Sequence, residues 1–233
     1  MSGCAHVQHH DWGSTMSAMI ARLLPAHIAC ADFEGDDPSA RLLPGEEPAL
    51  SGAVQSRIGE FTTARSCARR ALLQFGVTGV ALPSGPNREP LWPQGYVGSI
   101  THCEGYRAAA VARREDALSI GIDVELHEPL PSEILSLVTV STEQAWLARA
   151  PEGFYWDRLI FSAKESVYKA WFPLTRAWLD FGDVCITVNA AAGEFSASLS
   201  PDSYKSGGRS LDNFAGRFLF TPKHILTAIV VSG

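Results

Sequence analysis

The sequence predicts an α+β fold, with helices accompanying mixed or antiparallel sheet. Three observations predict it. Residues 54–75 carry Val54, Ile58, Phe61, Ala68 and Leu72 at the three-and-four spacing of a helix. Residues 156–171 do the same with Leu159, Ile160, Ala163, Val167 and Ala170. Short apolar or alternating runs of strand length fill much of the rest, so each half of the chain holds helix and several strands.

In chain order, residues 18–24 are a short apolar stretch. Residues 32–38, Asp-Phe-Glu-Gly-Asp-Asp-Pro, are acidic and turn-rich and read as a loop, as do residues 44–51. The 54–75 helix stops at Gly76. Residues 80–82 suit a short strand, and residues 83–93, with Pro83, Gly85, Pro86, Pro90 and Pro93, suit a loop. Strands follow at 97–101 and 106–112, the second being Ala108-Ala109-Ala110-Val111-Ala112 at its centre, which reads as buried. Arg113-Arg114-Glu115-Asp116 breaks it, and 118–124 is another apolar strand. Ser141-Thr142-Glu143 opens a helix running to about Ala150. After the 156–171 helix, strands are expected at 184–188, 195–199, 217–221 and 225–231. The first fifteen residues, with His6, His9 and His10, are expected to be a disordered extension. That histidine group could bind a metal, but a floppy terminus accounts for it.

Of the 233 residues 46% are hydrophobic and 19% charged, a balance that fits a soluble globular protein and excludes disorder of the whole chain. A net charge of -6 argues against a nucleic-acid binder, though a phosphate ligand needs only a few well-placed cations. The five cysteines (Cys4, Cys30, Cys67, Cys103, Cys185) form no C-x-x-C pair. Neither a zinc site nor a disulfide framework is indicated, and a reducing cytoplasm is expected. No apolar run approaches the ~20 residues of a membrane span, so no membrane partner is expected. Nothing at the N-terminus resembles a secretory signal.

Three segments carry candidate chemistry: Gly98-Ser99-Ile100-Thr101-His102, Gly121-Ile122-Asp123-Val124-Glu125, and Phe161-Ser162-Ala163-Lys164-Glu165-Ser166-Val167-Tyr168-Lys169. Side chains alternate along a strand, so Asp123 and Glu125 share a face. Two acids ending an apolar strand call for a cation, and hard oxygen ligands suit Mg²⁺. Alone, D-x-E is a common pattern, and the pair reads better as a solvated strand end. Glu165 and Lys169 stand at i, i+4 and share a helix face; alone they could be a surface ion pair. Lys164 points elsewhere. His102 can donate a hydrogen bond to a phosphate oxygen.

Taken together and in this order, the three segments resemble the Sfp-type (group II) 4'-phosphopantetheinyl transferases, which carry a serine–histidine segment, then G-[IV]-D-x-E, then K-E-x-x-x-K. The likeness extends upstream, closest to the branch of enterobactin synthase component D. Arg57, Glu60, Phe61, Arg65, Ala68, Arg69, Ala71 and Leu72 resemble its helix, and Arg88-Glu89-Pro90, Trp92-Pro93 and Gly95 its R-E-P-x-W-P-x-G segment. Matches run from about residue 54 to 171.

The resemblance implies two similar α/β subdomains in a pseudo-twofold arrangement, residues 16–115 and 116–233, with the active site between them. It implies attack by a carrier-protein serine on the β-phosphate of coenzyme A, with 3',5'-ADP leaving. Asp123, Glu125 and Glu165 would hold Mg²⁺. Asp123, Glu165 and Lys169 would be the catalytic residues, Lys169 meeting the pyrophosphate and Lys164 assisting or holding the helix. Glu165 or Glu125 would be the general base. His102, Arg65 and Arg69 would meet the 3'-phosphate, Arg88 would lie along the adenosine, and Ser99 would bond phosphate. The implied partners are coenzyme A and acyl, polyketide or peptidyl carrier proteins, served by a monomer. The alternative is a noncatalytic coenzyme A or nucleotide-binding protein.

Overall fold

A computed structural model describes residues 18–200, 205–206 and 209–233. The first fifteen residues, and with them His6, His9 and His10, lie outside the described residues.

The described chain opens with a 3-10 turn, Met19–Leu23, and continues through β1 (Ala29–Glu34), a second 3-10 turn at Glu47–Leu50, α1 (Gln55–Leu73), β2 (Tyr96–Cys103) and β3 (Tyr106–Arg113). Then come β4 (Ser119–Leu126), α2 (Ser132–Val138), α3 (Ser141–Leu147), α4 (Trp156–Thr175) and a 3-10 turn at Phe181–Asp183. Six strands finish the chain: β5 (Val184–Asn189), β6 (Glu194–Leu199), β7 (Lys205–Ser206), β8 (Arg209–Ser210), β9 (Asn213–Phe220) and β10 (His224–Val231). The first sheet has the order β1-β3-β2 and the second β4-β10-β9-β6-β5, every neighbouring pair antiparallel; β7 and β8 pair separately. The fold is α+β, as the two periodicities predict.

The apolar run of β3 is explained by burial on both faces. Ala109 and Val111 pack with Cys67, Ala68, Ala71 and Leu72 of α1. Ala108, Ala110 and Ala112 face the other way, onto Ile120, Ile122 and Val124 of β4 and Leu226 and Ala228 of β10. Beyond those strands lies α4, whose Leu159, Ile160, Ala163, Val167 and Ala170 pack against Ile186, Phe195, Phe214, Phe218, Ile225 and Ile229. Each large apolar side chain buried this way contributes about 1.5–3 kcal/mol. α1 therefore covers one outer side and α4 the other, with the two sheets between them.

β2 and β4 meet at a seam that is not a backbone ladder. Ser99 Oγ accepts from Ile122 N at 3.1 Å, and Thr101 Oγ1 accepts from Val124 N at 3.0 Å. On its opposite face β4 presses against α4 so closely that a Cβ at Gly121 would collide with the Ser166 carbonyl and lie 2.9 Å from Ala170 N. Asp123 and Glu125, two and four residues on, share that face.

Several elements depart from the sequence reading. Residues 80–82 form no strand: Leu82 N donates instead to the Glu46 side chain at 2.8 Å, and only an isolated Ser84–Pro90 bridge follows. Residues 32–34, expected as loop, belong to β1. The strand pairs with β3 along its whole length, Ala29 to Glu34, and Asp32 is taken up by Tyr106 Oη at 2.6 Å and Met19 N at 2.7 Å. α2 and the short β7–β8 pair have no counterpart in the reading, and α3 ends at Leu147. Among the described residues no helix is long and apolar enough to cross a membrane.

Candidate active site

A cavity of about 780 Å³ opens between the segment leading into β2 and the C-terminal half of α4. Arg88, Trp92, Tyr96 and Ser99 line one wall, and Glu165, Tyr168, Lys169, Phe172 and Arg176 the other, with Arg114 and Ser119 also bordering it. The position of α4 follows from its apolar face. With Leu159, Ala163, Val167 and Ala170 committed to the core, Glu165 and Lys169 are turned to the cavity, four residues apart.

At the edge of this cavity Lys169 Nζ donates to Asp123 Oδ1 at 2.7 Å and to the Ile122 carbonyl at 3.1 Å. Thr101 Oγ1 donates to the same carboxylate oxygen at 3.2 Å. Asp123 is buried, and its second oxygen, Oδ2, has no protein partner. A buried carboxylate oxygen without a partner is costly and marks a place for a ligand. Glu125 receives Arg158 Nη1 at 3.0 Å, while Arg158 also bonds the carbonyls of Glu128 and Pro129. Burial, and then the charge of Asp123, push the Glu125 carboxyl up to about 7, against the pull of Arg158. Burial also raises Glu165; Lys169 lowers it and Asp123 raises it further. Glu125 and Glu165 thus each feel the charge of Asp123 in a desolvated setting, although among the described residues no three acids, histidines or cysteines form a ready-made metal cage. An orphaned Asp123 oxygen beside two acids whose charged forms are disfavoured fits a hard divalent cation.

His102, on β2, has its Nε2 2.6 Å from Arg57 Nη1 of α1. Burial first, then the charge of Arg57, lower its pKa to about 4, so the ring is neutral at pH 7. Glu60 lies 3.5 Å from Arg57 and 3.7 Å from both the His102 ring and Arg107. These residues form a charged cluster along α1, in which Arg57 stays half-exposed.

Comparison with known proteins bears on this geometry. A sequence model of the 4'-phosphopantetheinyl transferase N-terminal domain matches residues 45–112, and one of the 4'-phosphopantetheinyl transferase superfamily matches residues 119–218. The chain is 46% identical to the 4'-phosphopantetheinyl transferase Svp of Streptomyces mobaraensis over 222 residues, covering 92% of this chain and 89% of that one. It belongs to the 4'-phosphopantetheinyl transferase family. It is also similar to the transferase PptT of Mycobacterium tuberculosis, at 41% identity over 93% of this chain and all of the other. Enterobactin synthase component D of Salmonella typhi is 36% identical over 125 residues, about half of each chain. The family's reaction is transfer of phosphopantetheine from coenzyme A to a carrier protein.

The transferase brings together Asp123, Glu125, Glu165, Lys169, Ser99 and Arg88 at or beside the cavity, with His102 next along β2. Three expected coenzyme A contacts sit elsewhere. Lys164 is buried, its ammonium donating to Glu143 at 2.9 Å and to the carbonyls of Val138 at 2.7 Å and Phe181 at 2.9 Å. All three ammonium donors are used, so it holds α4 against α2 and α3 and does not face the cavity. Arg65 is buried too, bonding the Leu82 carbonyl at 2.7 Å and Ser84 Oγ at 3.0 Å with its guanidinium over the Phe61 ring. Arg69 is paired with fully buried Glu46 at 2.7 Å and bonds the Arg41 carbonyl at 2.6 Å. The α1 arginine beside His102 is instead Arg57. It opens the R-x-x-E-F helix motif, about two turns before Arg65 and about three before Arg69. Arg158 was also missed. Its only sequence signal is a cation in the first turn of the helix that carries Glu165.

Proposed function

We propose that this transferase loads apo acyl, polyketide or peptidyl carrier proteins with the phosphopantetheine arm of coenzyme A, with Mg²⁺ as its metal. The observation that carries the proposal is the meeting of Lys169 and Glu165 on the wall of one cavity with Asp123, which Lys169 bonds and whose second oxygen is orphaned.

Asp123, Glu125 and Glu165 would hold the metal. A bound Mg²⁺ would neutralise and align pyrophosphate oxygens. Lys169, free to exchange its bond to Asp123 for one to a phosphate, supplies positive charge on the same side. Glu165 takes the proton as the carrier serine oxygen bonds the β-phosphorus and the bond to 3',5'-ADP breaks; its raised pKa and its place in the cavity wall suit a general base. Glu125, tied to Arg158, is left to metal binding. Ser99 accepts from Ile122 N and keeps its own hydroxyl proton for a phosphate oxygen. His102 and Arg57 are the proposed 3'-phosphate contacts, in place of Arg65 and Arg69. Arg88, on the opposite wall, lies along the adenosine.

The two subdomains, residues 16–115 and 116–233, would supply the two walls, and a single chain would hold every group named, so a cytoplasmic monomer is the proposed working form. The net charge of -6 leaves little electrostatic attraction for acidic carriers, and apolar contacts would dominate docking. The test is release of 3',5'-ADP from coenzyme A by the protein with an apo carrier and Mg²⁺. Release that requires all three components supports the proposal. Coenzyme A binding with no release under any of these conditions would favour the noncatalytic reading.

A further inference from the structure

Among the described residues, the non-glycine positions with left-handed backbone are Arg88 (φ 67°) and Arg176 (φ 56°). Both line the cavity, from opposite walls. Such conformations persist only where the surroundings hold them, and they collect at functional sites.

The surroundings of Arg88 form a tight hairpin. Ser84 bridges Pro90, Gly85 N donates to the Glu89 carbonyl at 2.8 Å, and Arg88 N donates to the Gly85 carbonyl at 3.0 Å. Glu89 folds its side chain back over the turn and accepts from Asn87 N at 3.0 Å through Oε2. Gly85 is what admits it, because a Cβ there would collide with the Glu89 carboxylate. The other oxygen, Oε1, receives Arg176 Nη1 at 3.0 Å. Arg176 is the left-handed residue that closes α4, its N–H donating to the Phe172 carbonyl at 2.9 Å and its guanidinium 5.6 Å from the Phe172 ring. One carboxylate therefore organises the hairpin with one oxygen and fastens it to α4 with the other, across 87 residues of sequence.

We infer that the Arg176–Glu89 pair is a clasp between the hairpin and α4 that fixes the mouth of the cavity and holds Arg88 toward its ligand, which makes Arg176 a positioning residue for coenzyme A. The inference rests on the proposed reading of this cavity as the coenzyme A site. Glu89 is nearly buried and Arg176 mostly exposed, so the clasp is strong enough to bias the hairpin and weak enough to open.

Two measurements test it. In steady-state transfer, Arg176→Ala should raise the coenzyme A KM about threefold to fivefold with kcat nearly unchanged, and Arg176→Lys should restore most of it. In a Glu89→Gln background, where the Asn87 contact survives but the charge is gone, Arg176→Ala should change KM little. In the free protein, Arg176→Ala should speed amide hydrogen exchange across residues 84–92 without changing exchange in α1. Equal KM effects in both backgrounds, or unchanged exchange in the hairpin, would overturn the clasp. Absence of transfer by the wild-type protein would instead count against the proposed function, and the exchange result would still decide whether Arg176 holds the hairpin.

Discussion

Lys169 Nζ lies 2.7 Å from Asp123 Oδ1, joining α4 to β4 at the edge of the cavity. Both residues come from motifs that are ambiguous separately. Their contact turns a strand pair of acids and a helical lysine into one charged centre. Lys169→Ala should lower kcat by about 10²–10³ while the far-UV circular dichroism stays unchanged, as expected for a group that stabilises transferring charge. Wild-type turnover by this variant would remove Lys169 from the mechanism.

Lys164, its neighbour in the same motif, should behave differently. Lys164→Ala leaves Glu143 buried with only the amides of Val140 and Ile186 as donors. Losing one member of a buried pair costs about 3–5 kcal/mol. Urea unfolding should show that loss, whereas the coenzyme A KM, measured well below the melting point, should hold. A raised KM at unchanged stability would return Lys164 to the ligand.

The arginines of α1 divide the same way. Arg57→Ala should weaken coenzyme A about tenfold more than 3'-dephospho-coenzyme A, because a charge-assisted bond to the extra phosphate is lost. Arg69→Ala should weaken both alike and lower stability, since Glu46 is left buried without its cation. Calorimetric titration of both ligands against both variants checks this, and a selective loss of coenzyme A in Arg69→Ala would reverse the assignment.

Stability in acid should report on His102. Its pKa falls from an ordinary 6.5 to about 4 on folding, through burial and then the Arg57 charge. As pH drops below 6.5 the unfolded chain takes up a proton that the folded ring refuses until about 4. The contribution is fully present above 6.5 and is lost as pH falls through that window. Glu125, whose carboxyl folding raises to about 7, acts in the opposite direction over nearly the same window, so the test is a difference: the unfolding free energy of His102→Asn, measured without coenzyme A, should gain on that of the wild type as pH falls from 6.5 to 4. Identical slopes would mean the ring titrates normally in the folded protein.

What the sequence discloses and what it hides have physical reasons. Period two placed Asp123 and Glu125 on one face, and the four-residue helical spacing did the same for Glu165 and Lys169; both are local properties of a backbone. The partners Lys164–Glu143 and Arg69–Glu46 are 21 and 23 residues apart, and only packing brings them together. β1 was obscured because Asp32 and Glu34 read as loop, while its strand character comes from β3, more than seventy residues away. The choice of Arg57 over Arg65 depends on which turn of α1 meets β2, which no local pattern fixes.

The central claim is a carboxylate-held divalent ion serving phosphopantetheine transfer at Asp123. The most direct measurement is the intact mass of an apo carrier protein after incubation with coenzyme A, Mg²⁺ and either wild-type or Asp123→Ala enzyme, with and without chelator. The account predicts a gain of one phosphopantetheine arm with the wild-type enzyme, no gain with chelator, recovery when Mg²⁺ is restored, and no gain with Asp123→Ala at any Mg²⁺ concentration. Full modification by Asp123→Ala, or by the wild-type enzyme in chelator, would contradict it.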